Sequence, residues 1–199
     1  LAEHGRQRHG QAVVDVHLNG SAVCTKAVWD IMREQEYGRI AMTTSSSGMY
    51  GNFGQSNYGA AKFGLVGLMN TLHLEGAKYN IRVNALSPTA ATRMTENLLP
   101  PAALELMTPE SVSTGLVFLV SDECPSRTIL CAGAGGYAVT KIHETDGIFL
   151  PPEQQTPENV AARFADICDE AGQKELGAGG EQTIKFLTKA AASAGVKLG

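Results

Sequence analysis

The stretch Ser45 to Lys62, Ser-Ser-Ser-Gly-Met-Tyr-Gly-Asn-Phe-Gly-Gln-Ser-Asn-Tyr-Gly-Ala-Ala-Lys, constrains the chain more than any other. Before it comes Arg39-Ile40-Ala41-Met42-Thr43-Thr44, a short apolar run that predicts a buried strand ending in a Ser/Gly cluster. After it, from about Asn57 to Tyr79, Ala61, Leu65, Leu68 and Leu72 fall on one line of a long helix. Strand, loop and helix follow in that order. In open α/β sheets, ligands bind beyond the carboxyl ends of the strands, which is where Ser45 falls. Tyr58 and Lys62 are four apart and share one helix face. A phenol with an ordinary pKa of about 10 is a poor base at neutral pH, but a fixed ammonium beside it favours the phenolate. Ser45, thirteen residues before Tyr58, can hydrogen-bond the same substrate oxygen. The Tyr/Lys spacing alone does not suffice. Tyr137 and Lys141 share it, yet Cys124 stands thirteen residues before Tyr137 and no helical pattern surrounds the pair.

Elsewhere, Ala12 to about Glu36 carries Val13, Val16, Ala22, Val23, Ala27, Ile31 and Met32 in a helical pattern, which Gly20 interrupts and invites to bend. Asn80 to Leu86 and Thr128 to Ala132 read as two further strands. Thr108 is placed to cap a helix that Pro109 opens and that runs to about Ser121. Gly133-Ala134-Gly135-Gly136-Tyr137-Ala138 matches the dinucleotide pattern G-x-G-x-x-A, but the residues that follow look extended, so a structural turn is expected. After the Pro151-Pro152 linker, helices are expected over 157–171, with Val160, Phe164, Ile167 and Cys168 inward, and over 181–194. The expected organisation is an irregular start (1–11), a partial α/β domain (12–150) and a helical extension (151–199).

A net charge of -4 with no long basic run gives no electrostatic case for nucleic acid or an anionic membrane. A small-molecule substrate fits better. The four cysteines are scattered without C-x-x-C spacing, so they read as reduced core residues in a cytoplasmic protein, and no metal site is expected.

Val16-His17-Leu18-Asn19-Gly20, Tyr37-Gly38-Arg39-Ile40, Ser45 through Lys62, Asn80-Ile81-Arg82-Val83-Asn84-Ala85 and Pro88 through Thr95 together resemble the short-chain dehydrogenase/reductase family. They are most similar to its (3R)-hydroxyacyl-CoA dehydrogenase branch from multifunctional β-oxidation enzymes. The resemblance implies the C-terminal part of a Rossmann-like, doubly wound parallel sheet with about three strands. It also implies an NAD(P)-dependent oxidoreductase that interconverts a secondary alcohol and a ketone, possible substrates being a 3-hydroxyacyl-CoA or a steroid-like ring.

By the same resemblance Tyr58 is the general acid/base, Lys62 lowers its pKa and binds the nicotinamide ribose of NAD (or NADP), and Ser45 orients the substrate oxygen. His17 stands where the family more often has an asparagine holding a water that links the lysine to solvent, and an imidazole can also relay protons. Pro88, Thr89 and Thr92 fall where the family contacts the nicotinamide, although Thr89 replaces the usual glycine. Residues 96–107 correspond to a substrate lid, and the helix pair implies a homodimer or homotetramer. The family's Thr-Gly-x-x-x-Gly-x-Gly turn is missing, so a truncated chain that binds NAD poorly is expected. The alternative is a catalytically silent structural or dimerisation module of the same fold.

Overall fold

The computed structural model describes residues 10–91 and 100–198. The chain divides into two compact units, Leu1–Thr140 and Lys141–Gly199.

The first unit is built on a four-stranded sheet of β1 (Gly38–Thr43), β2 (Ile81–Thr89), β3 (Ile129–Gly133) and β4 (Gly136–Thr140), in that order. The first three strands are parallel, with Met42 level with Ala85 and Ala85 level with Ile129. β2 is the central strand, and its near-continuous burial is what a parallel sheet covered on both faces requires. Alternate residues of β2 feed two cores. Val83 and Ala85 join Met42, Leu65, Val66, Met69 and Ile129 under the helix α3 (Ser56–Gly76), after α1 (Gly20–Glu34) and α2 (Ser46–Met49) in the chain. Leu86 joins Leu119, Cys124, Leu130 and Ala132 beside α5 (Pro109–Leu119), which follows the short α4 (Pro101–Leu106). Asn84, fully buried, ties this second layer down. Its amide donates to the Leu119 carbonyl at 2.8 Å, and its Oδ1 accepts from the Thr128 N–H at 2.8 Å.

Several expectations are corrected. The sheet has a fourth strand, because Ala134 and Gly135 both take positive φ and close a tight hairpin between β3 and β4. The glycine-rich run is a turn, as its sequence predicts, and it joins two strands. β2 continues through Ser87, Pro88 and Thr89, past Leu86, where the strand was expected to end. The first helix meets the core with only part of its apolar pattern. Leu18, Trp29 and Met32 pack on the core, whereas Val23 and Ile31 are 67% and 60% exposed. Its irregularity is a π turn, Asp15–Asn19, in which the Gly20 N–H reaches back five residues to the Asp15 carbonyl. Thr108 precedes α5 without a side-chain capping bond. Cys124 is buried, but Cys24 and Cys168 are exposed; all four cysteines are free.

In the second unit the helix expected over 157–171 is two short ones, α6 (Pro157–Ala162) and α7 (Phe164–Ile167), and a longer helix, α8 (Gly179–Ala194), follows. Val160, Phe164 and Cys168 are exposed rather than inward. Among its described residues none is buried. Polar links hold it instead: Lys185 binds Glu144 and the Thr145 carbonyl, Lys189 binds Asp146 at 2.7 Å, and Glu144 bridges to Lys174. No helix of the described residues is long and apolar enough to cross a membrane.

Candidate active site

β1 delivers Thr43, Thr44 and Ser45 to the carboxyl edge of the sheet, and the chain turns there into α2. The Ser45 hydroxyl accepts from the Ser47 N–H at 3.2 Å and the Ser45 carbonyl accepts from Gly48 N–H at 2.9 Å, so the serine caps the short helix. α2 then lies against α3. A Cβ on Gly48 would stand 2.8 Å from the Phe63 nitrogen, and one on Gly59 would stand 3.0 Å from the Ser47 carbonyl oxygen. Glycine at these two positions is what lets the serine-bearing turn approach the helix that carries Tyr58 and Lys62.

Lys62 is only 6% exposed. Its ammonium donates to the Thr43 carbonyl at 2.7 Å and lies 5.6 Å from the centre of the Tyr58 ring. Burial lowers its pKa from the ordinary lysine value. The phenol also meets His17, in the π turn. The two rings meet edge to face, with centroids 5.2 Å apart and planes at 86°. The pKa of His17 is lowered, first by burial and then by the charge of Lys62. A groove of about 660 Å³ runs beside β1, with His17, Ser21, Thr43 and Lys62 among its walls.

The structure thus gathers His17, Tyr58 and Lys62 into one cluster and sets Ser45 on the turn packed against the helix of Tyr58 and Lys62. Pro88 and Thr89 end β2, paired with Ala132 and Gly133, beyond the level at which β1 stops. Thr92 and residues 96–99 of the expected lid lie outside the described residues; Pro101–Leu106 is helical. Among the described residues no group of three or more His, Cys, Asp or Glu gathers that could hold a metal. Sequence reasoning missed the backbone carbonyl of Thr43 and the hydroxyl of Thr44 as partners of Lys62. A polar residue ending an apolar strand was the available signal.

The family described as short chain dehydrogenase matches residues 2–102. The chain belongs to the short-chain dehydrogenase family. It is 50% identical over 169 residues to a short-chain type dehydrogenase/reductase of Mycobacterium tuberculosis, covering 83% of this chain and 58% of that one. It is 44% identical over 166 residues to the peroxisomal hydratase-dehydrogenase-epimerase of Saccharomyces cerevisiae, covering 82% of this chain and 18% of that one. Its fold is similar to that of the full-length peroxisomal multifunctional enzyme type 2 from Drosophila melanogaster, with a TM-score of 0.80 and 36% identity over 90% of this chain and 33% of that one. As a short-chain dehydrogenase, the chain spans less than two thirds of the length of these relatives.

Proposed function

We propose that the chain carries the proton-transfer machinery of an NAD(P)-dependent oxidoreductase that interconverts a secondary alcohol and a ketone, with a 3-hydroxyacyl-CoA as substrate. The observation that carries this reading is the buried Lys62 ammonium beside the Tyr58 ring, on a helix packed against the Ser45 turn.

In the direction of alcohol oxidation, Tyr58 takes the hydroxyl proton and Ser45 holds the same oxygen by a hydrogen bond. The positive charge of Lys62 favours the negative charge that develops on the oxygen beside it. His17, kept neutral by burial and by Lys62, passes the proton between the lysine and solvent. The nicotinamide, when bound, accepts or returns the hydride at carbon. Lys62 has one carbonyl partner for three N–H donors, so its remaining N–H groups fit the ribose hydroxyls of NAD, and we assign Tyr58, Pro88, Thr89 and Thr92 to the nicotinamide end of the cofactor on the strength of the family resemblance.

The outward Val23 and Ile31 of α1 support a helix-pair contact in a homodimer or homotetramer. Four free cysteines support a reducing, cytoplasmic setting. The names of the yeast and fly relatives point to the peroxisome as the other compartment to test.

The decisive experiment follows NADH absorbance with NAD and a (3R)-hydroxyacyl-CoA in the natural protein that contains this sequence. Tyr58→Phe is expected to lower kcat by about 10²–10⁴-fold. Turnover that survives the substitution overturns the assigned chemistry.

A further inference from the structure

Thr44 lies between Thr43, whose carbonyl receives the Lys62 ammonium, and Ser45, and the proposed reaction gives it no role. It is 1% exposed. Its backbone N–H donates to the Leu86 carbonyl at 2.8 Å, which extends the β1–β2 ladder by one residue. Its hydroxyl donates to the backbone carbonyl of Lys62 at 2.7 Å. That carbonyl belongs to a helix, so the bond uses its second lone pair. Lys62 is therefore held at both ends by adjacent residues of one strand terminus, at its tip by Thr43 and at its backbone by Thr44. A third restraint comes from α2, because a Cβ on Gly48 would also come within 3.1 Å of the Lys62 carbonyl carbon.

A buried hydroxyl linking a strand end to a helix interior carries geometric information that apolar contact does not. Apolar burial is non-directional, whereas a 2.7 Å hydrogen bond ties one atom to one atom. We propose that Thr44 is a positioning residue that fixes α3 in translation and rotation against the carboxyl end of β1. It thereby sets the reach from Ser45 to Tyr58 and holds the ammonium of Lys62 between Thr43 and the Tyr58 ring. The groups that face this ammonium are the Thr43 carbonyl, the Tyr58 phenol and the His17 imidazole. Each comes from a different part of the fold or a different turn, so a small shift of α3 changes every separation at once. Loss of a methyl group at Thr44 leaves this tie in place; loss of the hydroxyl removes it.

Two readouts test this, and only the kinetic one rests on the proposed reaction. Thr44→Val keeps the volume and the branched Cβ but deletes the donor, while Thr44→Ser keeps the donor. In the natural protein, Thr44→Val is expected to lower kcat about tenfold with KM little changed, and Thr44→Ser to restore it. Independently of turnover, the pH dependence of Lys62 acylation by a small anhydride, read by peptide mass spectrometry, reports the surroundings of the ammonium. Its midpoint is expected to rise by about half a pH unit or more in Thr44→Val and to return in Thr44→Ser. Should Thr44→Val not fold, Thr44→Ala is read in the same two assays. A variant without the hydroxyl that melts earlier, yet keeps both kcat and the Lys62 midpoint, overturns the positioning role and leaves the reaction standing. Conversely, turnover that survives Tyr58→Phe removes the reaction, and the Lys62 midpoint alone then decides the role of Thr44.

Discussion

The imidazole of His17 meets the phenol ring of Tyr58 edge to face, 5.2 Å between centroids, although 41 residues separate them in the chain. The contact joins the π turn to the helix that carries Lys62. If His17 relays protons, His17→Ala lowers kcat by about tenfold or more, whereas His17→Asn, which keeps a polar group able to hold a water, retains most of it. Steady-state kinetics at several pH values distinguish the two; equal losses in both variants would assign His17 to packing alone.

Acid should destabilise the fold in a defined window. His17 and His73 both have lowered pKa values, His17 through burial and then Lys62, His73 through burial and then Arg127. The unfolded histidines titrate near about 6.5. Just below that pH the unfolded chain binds more protons than the folded one, so stability is fully present above it and is lost as pH falls toward the folded values. Urea unfolding between pH 7.5 and 5 measures the decline, and replacing both histidines by glutamine is expected to flatten it.

Lys62 pairs function with instability. A cation only 6% exposed, with no carboxylate among its partners in the described site, is a cost that an apolar side chain of similar length avoids. Lys62→Met is expected to raise stability by about 1 kcal/mol while abolishing turnover. Thermal unfolding of the purified variant checks the first half, and a lower melting temperature would show that the Thr43 bond outweighs desolvation.

Asn84 behaves oppositely. Its side chain satisfies the Leu119 carbonyl and the Thr128 N–H inside a core that water does not reach. Asn84→Leu fills similar volume but strands both groups, at about 1–3 kcal/mol each. Chemical denaturation should register a loss of that order, against a much smaller effect for a substitution at the exposed Val23.

Gly48→Ala tests the contact between α2 and α3. The added carbon would collide with backbone atoms of Phe63 and Lys62, which cannot swing aside as a side chain can. Destabilisation of about 1–3 kcal/mol is expected, together with a larger drop in kcat than in thermal stability, because the serine-bearing turn must move away from Tyr58.

Much of this architecture was legible in the residues. The apolar run ending at Thr44, the Tyr58/Lys62 spacing and the turn at Gly133–Gly136 each follow from local rules, and the structure gives β1, one shared helix face and a hairpin there. The inward face of the first helix was not legible. Val23 and Ile31 satisfy helical periodicity as well as Trp29 and Met32 do, and periodicity alone cannot say which stripe meets the core. Nor could it place the clamp on Lys62, since that depends on how closely a strand end and a helix approach, which no local pattern records. In the second unit the apolar positions looked inward because helical pattern was equated with burial, yet Val160 and Phe164 face water.

The π turn at Asp15–Asn19 holds one residue more than regular helical winding needs, and it is the segment on which His17 rides. A deletion of a single codon there would let the helix rewind into ordinary α pitch, with Trp29 and Met32 still anchored. Because the wide turn has already absorbed the extra residue, the helix on either side would keep its facing, and the change would fall on the turn that carries the imidazole to the phenol. A single-codon change at this turn is thus one the flanking helix can accommodate, while the meeting of His17 with Tyr58 is what it puts at risk.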